Sequence, residues 1–295
     1  MATTRTVPTT VRFENILYAT DFSRYSESAL PYVLSIARNY GSRIFVANVI
    51  SLFPFSDTSP TQAWQAMTAQ AIREARSAMD LLHPAFKGTP YEALIRKGNI
   101  SQELASIVAE KRIDLIVTGT HGRGGASKVI MGSVAENIIR RSSCPVLTVG
   151  PQVCGEPDAI ADIHGILCPC DFSPTSAAAI SYAVSLALQN RARLYLLHVV
   201  KGDASDLPEV TLKTSLHNLI PAGVSFSCEP RSFVEMGEPA EKILEISEEL
   251  GVDLIVLGVK PPVLPLGAAA HIGMATAYKV IRGSTCPVLT VRKHA

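Results

Sequence analysis

Two segments of this sequence carry residue types that suit binding of a phosphate chain. Asp21 comes shortly after an apolar run at 16–19, and a glycine-rich segment follows another apolar run at 114–118. Glycines let backbone N–H groups approach an anion closely, and successive N–H groups in such turns form anion-binding concavities. The glycines of this second segment are Gly119, Gly122, Gly124 and Gly125.

Further groups around these glycines favour negative charge. Gly132 and Ser133 open an expected helix, whose first N–H groups and dipole attract an anion. Arg123 and Lys128 add formal positive charge near the same place. We therefore expect an anionic ligand here, with Asp21 hydrogen-bonding to the ligand or helping to hold a Mg²⁺ ion.

The elements that must position these residues alternate along the first half of the chain. Short β-branched runs predict strands, and apolar residues at helical spacing predict helices. The expected strands are 16–19, 44–50, 91–96, 114–118 and 146–149, and the expected helices are 26–40, 61–83, 101–111 and 127–140. This alternation predicts an α/β fold with a doubly wound parallel sheet. Such sheets bind ligands at the carboxyl ends of their strands, where Asp21 and Gly119 would meet if strands one and four are neighbours.

The same pattern occurs twice. Residues 13–23 read FENILYATDFS and 163–173 read IHGILCPCDFS, while 140–149 read RRSSCPVLTV and 282–291 read RGSTCPVLTV. Because the period is about half the chain, each copy is expected to be a whole domain. We call residues 1–150 the first repeat and 151–295 the second repeat, with a linker near 150–161.

The glycine segment fits neither the P-loop pattern nor the GxGxxG pattern. Its spacing, G-x2-G-x9-G-[ST], is met by Gly119, Gly122, Gly132 and Ser133. With the two DFS segments, this spacing makes the chain resemble the universal stress protein family over both repeats. The resemblance implies two tandem five-stranded parallel sheets of strand order 3-2-1-4-5, of the adenine nucleotide α-hydrolase-like type. It also implies ATP as the ligand of the first repeat.

The resemblance further implies which residues hold the nucleotide. Ala19 and Asp21 would line the adenosine pocket, and Val49 would offer backbone groups to the adenine. Ribose and phosphates would be held by Thr118, Gly119, Gly122, Arg123, Gly132, Ser133 and Val134. The last strands of the two repeats would pair with each other, and whole chains would form a homodimer.

The second repeat departs from this pattern. Asp171 and Gly258 are retained, but Pro261 takes the place of Gly122 and Met274-Ala275 the place of Gly132-Ser133. Proline cannot donate an N–H group to a phosphate. We therefore expect the second repeat to bind ATP weakly or not at all.

Composition narrows the class of protein. The formal net charge of +1 argues against a nucleic-acid partner, which usually selects a basic surface. The N-terminal 1–11 lacks the apolar core of a signal peptide, and the weakly charged 261–278 contains three prolines, which disfavours a membrane span. These features predict a cytoplasmic protein without a membrane partner. The six cysteines lack metal-ligand spacing, so no metal site is expected from them.

Several alternatives stay open at this stage. The main hypothesis is a nucleotide-responsive binding protein with an unidentified protein partner. The alternatives are a slow ATPase or phosphotransferase, and an interaction module without a ligand. Asp21 could serve only as a partner of a helix cap, and Cys168 and Cys170 could be redox-active rather than packed. A general-base role for His121 is considered but not favoured. His198 is expected to be a buried, hydrogen-bonded histidine.

Overall fold

The structure, a computed structural model, describes residues 11–51, 62–120, 131–153, 161–202, 207–260 and 269–292. The first repeat contains β1 (Asn15–Ala19), α1 (Arg24–Glu27), α2 (Leu30–Tyr40), β2 (Arg43–Ile50), α3 (Gln62–Leu82), a 3₁₀ turn (His83–Phe86), β3 (Tyr91–Lys97), α4 (Ile100–Glu110), β4 (Leu115–Gly119), α5 (Ser133–Arg141) and β5 (Val146–Val149). The second contains β6 (Gly165–Pro169), α6 (Pro174–Asn190), β7 (Arg193–Val200), α7 (Glu209–His217), β8 (Arg231–Met236), α8 (Pro239–Glu249), β9 (Leu254–Gly258), α9 (Ala269–Gly283) and β10 (Val288–Val291).

All ten strands form one sheet in the order β3-β2-β1-β4-β5-β10-β9-β6-β7-β8. Each repeat contributes five parallel strands in the order 3-2-1-4-5, which confirms the predicted α/β fold and topology. The two halves join through β5 and β10, which pair antiparallel with Leu147 opposite Leu289. Two threonine hydroxyls strengthen this junction, because Thr148 donates to the Val288 carbonyl at 3.1 Å and Thr290 to the Val146 carbonyl at 3.2 Å.

The apolar core consists of two layers, one on each face of the sheet. On β1, for example, Ile16 and Tyr18 point into one layer, whereas Leu17 and Ala19 point into the other. This alternation follows from the two-residue period of a strand. Both layers run through both repeats, so the hydrophobic cores of the two repeats are continuous across β5 and β10.

Three helices differ from the sequence prediction. The helix expected at 26–40 is divided into α1 and α2, because Pro31 lacks the N–H group that would continue the helix through this point. The structure confirms that Gly132 and Ser133 open α5, and because Gly132 adopts an extended conformation with ψ of 142°, the helix is not continuous from 127 as the wider range had predicted. The helix expected at 101–111 is α4, which begins one residue earlier because Asn99 caps it, with the Asn99 side chain accepting from the Gln102 N–H at 3.2 Å.

The continuous core predicts that the repeats unfold together. Leu289→Ala removes a fully buried side chain at the junction and should cost about 2–5 kcal/mol of unfolding free energy. Denaturant unfolding can be followed by the fluorescence of Trp64 in the first repeat and by circular dichroism of the whole chain. We expect both midpoints to fall together in Leu289→Ala and neither to move in Val210→Ala, whose side chain is exposed. An unchanged Trp64 midpoint in Leu289→Ala would show that the repeats unfold separately.

Candidate functional site

The segment after β1 is a tight turn that holds Asp21 in a fixed place. Phe22 adopts a left-handed conformation with φ of 58°, and its N–H donates to the Thr20 hydroxyl at 3.0 Å. Asp21 Oδ1 accepts from the Ser23 N–H at 3.0 Å and from the Ser23 hydroxyl at 2.7 Å. Ser23 in turn caps α1 by accepting from the Ser26 N–H. Asp21 is therefore a partner of the helix cap, as the simpler interpretation predicted, and this role fixes its carboxylate at the carboxyl end of β1.

The second repeat builds the same turn from slightly different atoms. Phe172 also has φ of 58°, and its N–H donates to the Cys170 sulfur at 3.3 Å where the first repeat uses a threonine hydroxyl. Asp171 Oδ1 accepts from the Ser173 N–H at 3.0 Å. Because the turn occurs in both repeats, its geometry is a common scaffold and does not by itself distinguish a ligand-binding repeat.

Gly119 brings the end of β4 against the helix that follows this turn. A Cβ atom at Gly119 would lie 2.5 Å from the Tyr25 carbonyl oxygen, a distance that no side chain tolerates. The same close approach occurs in the second repeat, where a Cβ atom at Gly258 would lie 2.7 Å from the Thr175 carbonyl oxygen. The first glycine of the motif therefore has a packing role in both repeats, which explains why the second repeat retains it. Its consequence for the site is that the β4 end and the Asp21 turn lie side by side, as predicted.

The N-terminus of α5 lies next to the end of β4. Gly132 is its N-cap, and the Gly132 N–H donates to the Thr120 carbonyl at 2.8 Å. Gly132 is thus not a free N–H donor, contrary to the sequence expectation. Within the described residues no side chain caps this helix, so the N–H groups of Ser133 and Val134 in the first turn lack a helical or side-chain acceptor. Together with the Ala135 N–H, the third of this turn, these groups are the anion donors that α5 offers.

The remaining predicted residues fall into two groups. Ala19 and Thr118 face each other in the β1–β4 pairing, so they lie at the topological switch point of the first repeat. Gly122 and Arg123 lie outside the described residues, as do His121, Gly124, Gly125 and Lys128.

Val49 lies on β2 beyond the last residue of β1. In β2, Ala47 accepts from Thr20 on the β1 side, whereas Ile50 accepts from Gly98 on the β3 side. Because backbone groups alternate along a strand, those of Val49 face the β1 side, past the end of β1 at Ala19. Next to Val49, the Asn48 side-chain amide donates to the Thr20 carbonyl at 2.8 Å and so links β2 to the residue that follows β1. A planar group could therefore reach the Val49 backbone at this edge, which suits the predicted adenine contact.

The corresponding region of the second repeat has a different shape. Its helix α9 begins at Ala269, six residues before Ala275, which aligns with Ser133. The α9 helix therefore continues through the place where α5 presents its N-terminus in the first repeat. Lys260 Nζ lies 3.8 Å from Asp171 Oδ2. Burial raises the pKa of Asp171, but hydrogen bonds from Ser173 and the charge of Lys260 outweigh it, so the pKa is lowered.

Two further predictions concern side chains of the second repeat. His198 Nδ1 lies 2.8 Å from the Cys170 carbonyl oxygen, so this half-buried histidine is hydrogen-bonded as expected. Cys168 and Cys170 are both buried free thiols, and burial raises the pKa of each. A raised thiol pKa lowers the thiolate fraction at neutral pH, which favours packing over redox chemistry. No cluster of three or more metal-binding side chains occurs in the described part of the chain.

One pair of structural residues was not identified from the sequence. Asp114 accepts from the Glu14 and Asn15 N–H groups through Oδ2, and Asp253 does the same for His164 and Gly165. Each aspartate therefore ties the start of the fourth strand of its repeat to the start of the first strand. The signal was present, because both copies read Asp-Leu-Ile-Val at this point.

Family comparison then decides the identity of the fold. The model of the universal stress protein family matches residues 12–150 and again 163–292. The chain belongs to the universal stress protein family. Both repeats of this tandem member therefore carry the family's domain.

Individual relatives match one repeat or the whole chain. Two universal stress proteins of Methanocaldococcus jannaschii are 27% and 25% identical over 139 and 155 residues, covering 46% and 47% of this chain and 82% and 96% of their own length. A universal stress protein structure from Archaeoglobus fulgidus aligns over 95% of this chain and 98% of its own, with a TM-score of 0.74 and 22% identity. This last likeness shows that the tandem fold as a whole recurs. None of the helices described for this chain has the length and apolar character that a bilayer span requires.

The close approach at the motif glycine predicts a stability effect that is independent of any ligand. Gly258→Ala forces the β9 end away from α6 and should cost about 1–3 kcal/mol. Gly165→Ala is a matched control, because its Cβ atom would meet neighbours only at 3.4 Å or beyond. Equal denaturation midpoints for the two variants would contradict the packing role of Gly258.

Burial also predicts a pattern of thiol reactivity. In the native protein, iodoacetamide should label the exposed Cys228 far faster than the four buried thiols Cys144, Cys168, Cys170 and Cys286. Burial raises the pKa of Cys286 to about 11, so little thiolate exists at pH 8. Peptide mapping by mass spectrometry, with the denatured protein as control, measures each rate. Fast labelling of Cys168 or Cys170 in the folded protein would instead support the redox interpretation.

Proposed function

We propose that this universal stress protein is a nucleotide-responsive binding protein that holds one ATP molecule, with Mg²⁺, in its first repeat. The observation that carries the proposal is the N-terminus of α5, which presents the Ser133 and Val134 N–H groups beside the switch point of the sheet. Helix N-termini at such positions favour phosphate groups through their N–H donors and dipole. Asp21 and the Val49 backbone lie at the same end of the sheet and suit the adenosine.

The difference between the repeats supports a single site per chain. Both repeats share the turn after the first strand and the close-packed glycine, which are scaffold features. Among the described residues, a helix N-terminus without a side-chain cap lies at this place in the first repeat, whereas in the second repeat α9 has already begun there. Lys260 lies near Asp171 and provides that carboxylate with an internal counter-charge. We therefore propose that the second repeat does not bind ATP.

A binding role is favoured over hydrolysis by the state of the Asp21 carboxylate. One of its oxygens accepts two hydrogen bonds from Ser23, which suits positioning better than abstraction of a proton from water. In this proposal ATP stabilises one conformation of the first repeat and so changes the surface seen by a protein partner in the cytoplasm. The proposed homodimer must use a surface other than β5 and β10, because these strands already pair within the chain.

The proposal predicts about one ATP per chain, bound through the α5 N–H groups. Ser133→Pro deletes one donor with little strain, because proline is tolerated at the first helical position and Gly132 already has the extended conformation that precedes proline. Loss of a hydrogen bond to a charged phosphate should weaken ATP binding about tenfold or more. Isothermal titration calorimetry with Mg-ATP measures both stoichiometry and affinity.

Ser133→Ala is the matched control, because it removes the hydroxyl and keeps the N–H group. It should retain more affinity than Ser133→Pro. Two ATP molecules per chain would refute the single-site proposal, and absence of any binding would leave the ligand-free interaction module as the better account. Accumulation of ADP during long incubation with Mg-ATP would favour the slow ATPase.

A further inference from the structure

Four polar side chains meet between the two repeats beside α5, and none of them belongs to the predicted nucleotide site. We call them the interface cluster: Glu136, Arg140, Tyr278 and Arg292. Arg140 Nη1 donates to Glu136 Oε1 at 3.2 Å, and the Tyr278 hydroxyl of the second repeat donates to the same oxygen at 3.4 Å. Arg292, which follows β10, donates through Nη2 to the Ile139 carbonyl of α5 at 2.6 Å. The second repeat therefore contacts α5 of the first repeat through two side chains, Tyr278 and Arg292.

The interface cluster is asymmetric although the repeats are related by a pseudo-two-fold axis. Leu147 and Leu289 are equivalent residues, 142 positions apart, and they pair directly. Tyr278 is separated from Glu136 by the same offset, so equivalent positions face each other with different chemistry.

The same asymmetry appears at a second pair of equivalent positions, 150 and 292. Arg292 is the equivalent of Gly150, at the same offset of 142 residues. Arg292 reaches the Ile139 carbonyl, whereas a Cβ atom at Gly150 would lie 3.1 Å from the Ile281 carbonyl oxygen. The second repeat therefore supplies a hydroxyl and a guanidinium to α5, and α9 receives neither from the equivalent positions of the first repeat.

The charge of Glu136 affects how strongly the N-terminus of α5 attracts an anion. Glu136 is in the first turn of α5, and its N–H donates to the Gly132 carbonyl at 3.0 Å. A carboxylate this close to the helix N-terminus repels a phosphate group that binds there. Arg140, one turn further along α5, and Tyr278 both hold Glu136 Oε1. Burial and the nearby Glu136 charge raise the pKa of Tyr278 to about 12, so its hydroxyl is protonated and donates at neutral pH.

We propose that the second repeat sets how tightly the first repeat binds a nucleoside polyphosphate, because Tyr278, together with Arg140, holds the Glu136 carboxylate away from the N-terminus of α5. Tyr278 and Arg140 are then positioning residues, which act through Glu136 and do not touch the ligand. The inference deepens the proposed function and rests on it. It gives the second repeat a role in the site although it binds no ATP itself.

A double-mutant cycle in the full chain tests the proposal. ATP and uncharged adenosine are titrated into wild type, Tyr278→Phe, Glu136→Gln and the double variant at low salt. Tyr278→Phe removes one of the two hydrogen bonds that hold the carboxylate and should weaken ATP binding about threefold, the size of a charge effect at a helix end, while adenosine affinity stays unchanged. Glu136→Gln should tighten ATP binding by a similar factor. In the double variant the loss of the Tyr278 hydroxyl should have no further effect.

The control is Tyr182→Phe, which removes a tyrosine hydroxyl from α6 on the opposite face of the sheet and should change neither affinity. An equal loss of ATP and adenosine affinity in Tyr278→Phe, or the same loss with Glu136 already replaced, would overturn the charge mechanism. No change of ATP affinity in Tyr278→Phe would overturn it as well. Failure of the proposed function looks different, because wild type itself would then bind neither ligand.

Discussion

The antiparallel pairing of β5 with β10 is the interaction on which the rest of the molecule depends. Each repeat alone would expose the edge of its fifth strand, and an open edge of this kind must be paired or covered. Here each edge covers the other, and the apolar layers on both faces of the sheet become continuous. The same junction places α5 of the first repeat next to Tyr278 and Arg292 of the second. Stability and communication between the repeats therefore have the same physical origin.

The features of the nucleotide motif separate into two kinds. The turn that contains Asp21 and the glycine at the end of β4 occur in both repeats, with matching backbone strain and matching close contacts. They shape the carboxyl end of the sheet whether or not a ligand binds there. The start of α5, which no side chain of the described residues caps, has no counterpart at the same place in the second repeat, because α9 has already begun there. Of the features that the structure describes, this helix start is the informative one for ligand binding, and the first motif glycine is not.

Much of the fold could be predicted from the sequence, because the patterns that indicate strands and helices are local and occur in both repeats. Short apolar runs and amphipathic stretches predict the alternation of strands and helices, whereas the strand order follows from the family resemblance, and the repeated Pro-Val-Leu-Thr-Val strands indicate the junction. The exact ends of helices are harder to predict from the sequence, because the extended conformation of Gly132 and the break before Pro31 depend on packing as well as on residue type. The use of the Gly132 N–H by Thr120 could not be predicted, since it depends on how β4 approaches α5. Contacts across the pseudo-two-fold axis, such as Tyr278 with Glu136, require the assembled sheet.

The covalent link between the repeats has a consequence for how asymmetry can persist. In a dimer of identical chains, any substitution at the axis appears twice, so a residue always faces its own copy. Joining the two copies in one chain removes this restriction, and position 136 can hold a carboxylate while its counterpart at 278 holds a phenol. Duplication followed by fusion thus lets one copy specialise in supporting the other. Their ratio is fixed at one to one during synthesis, without any need to select the right partner from solution.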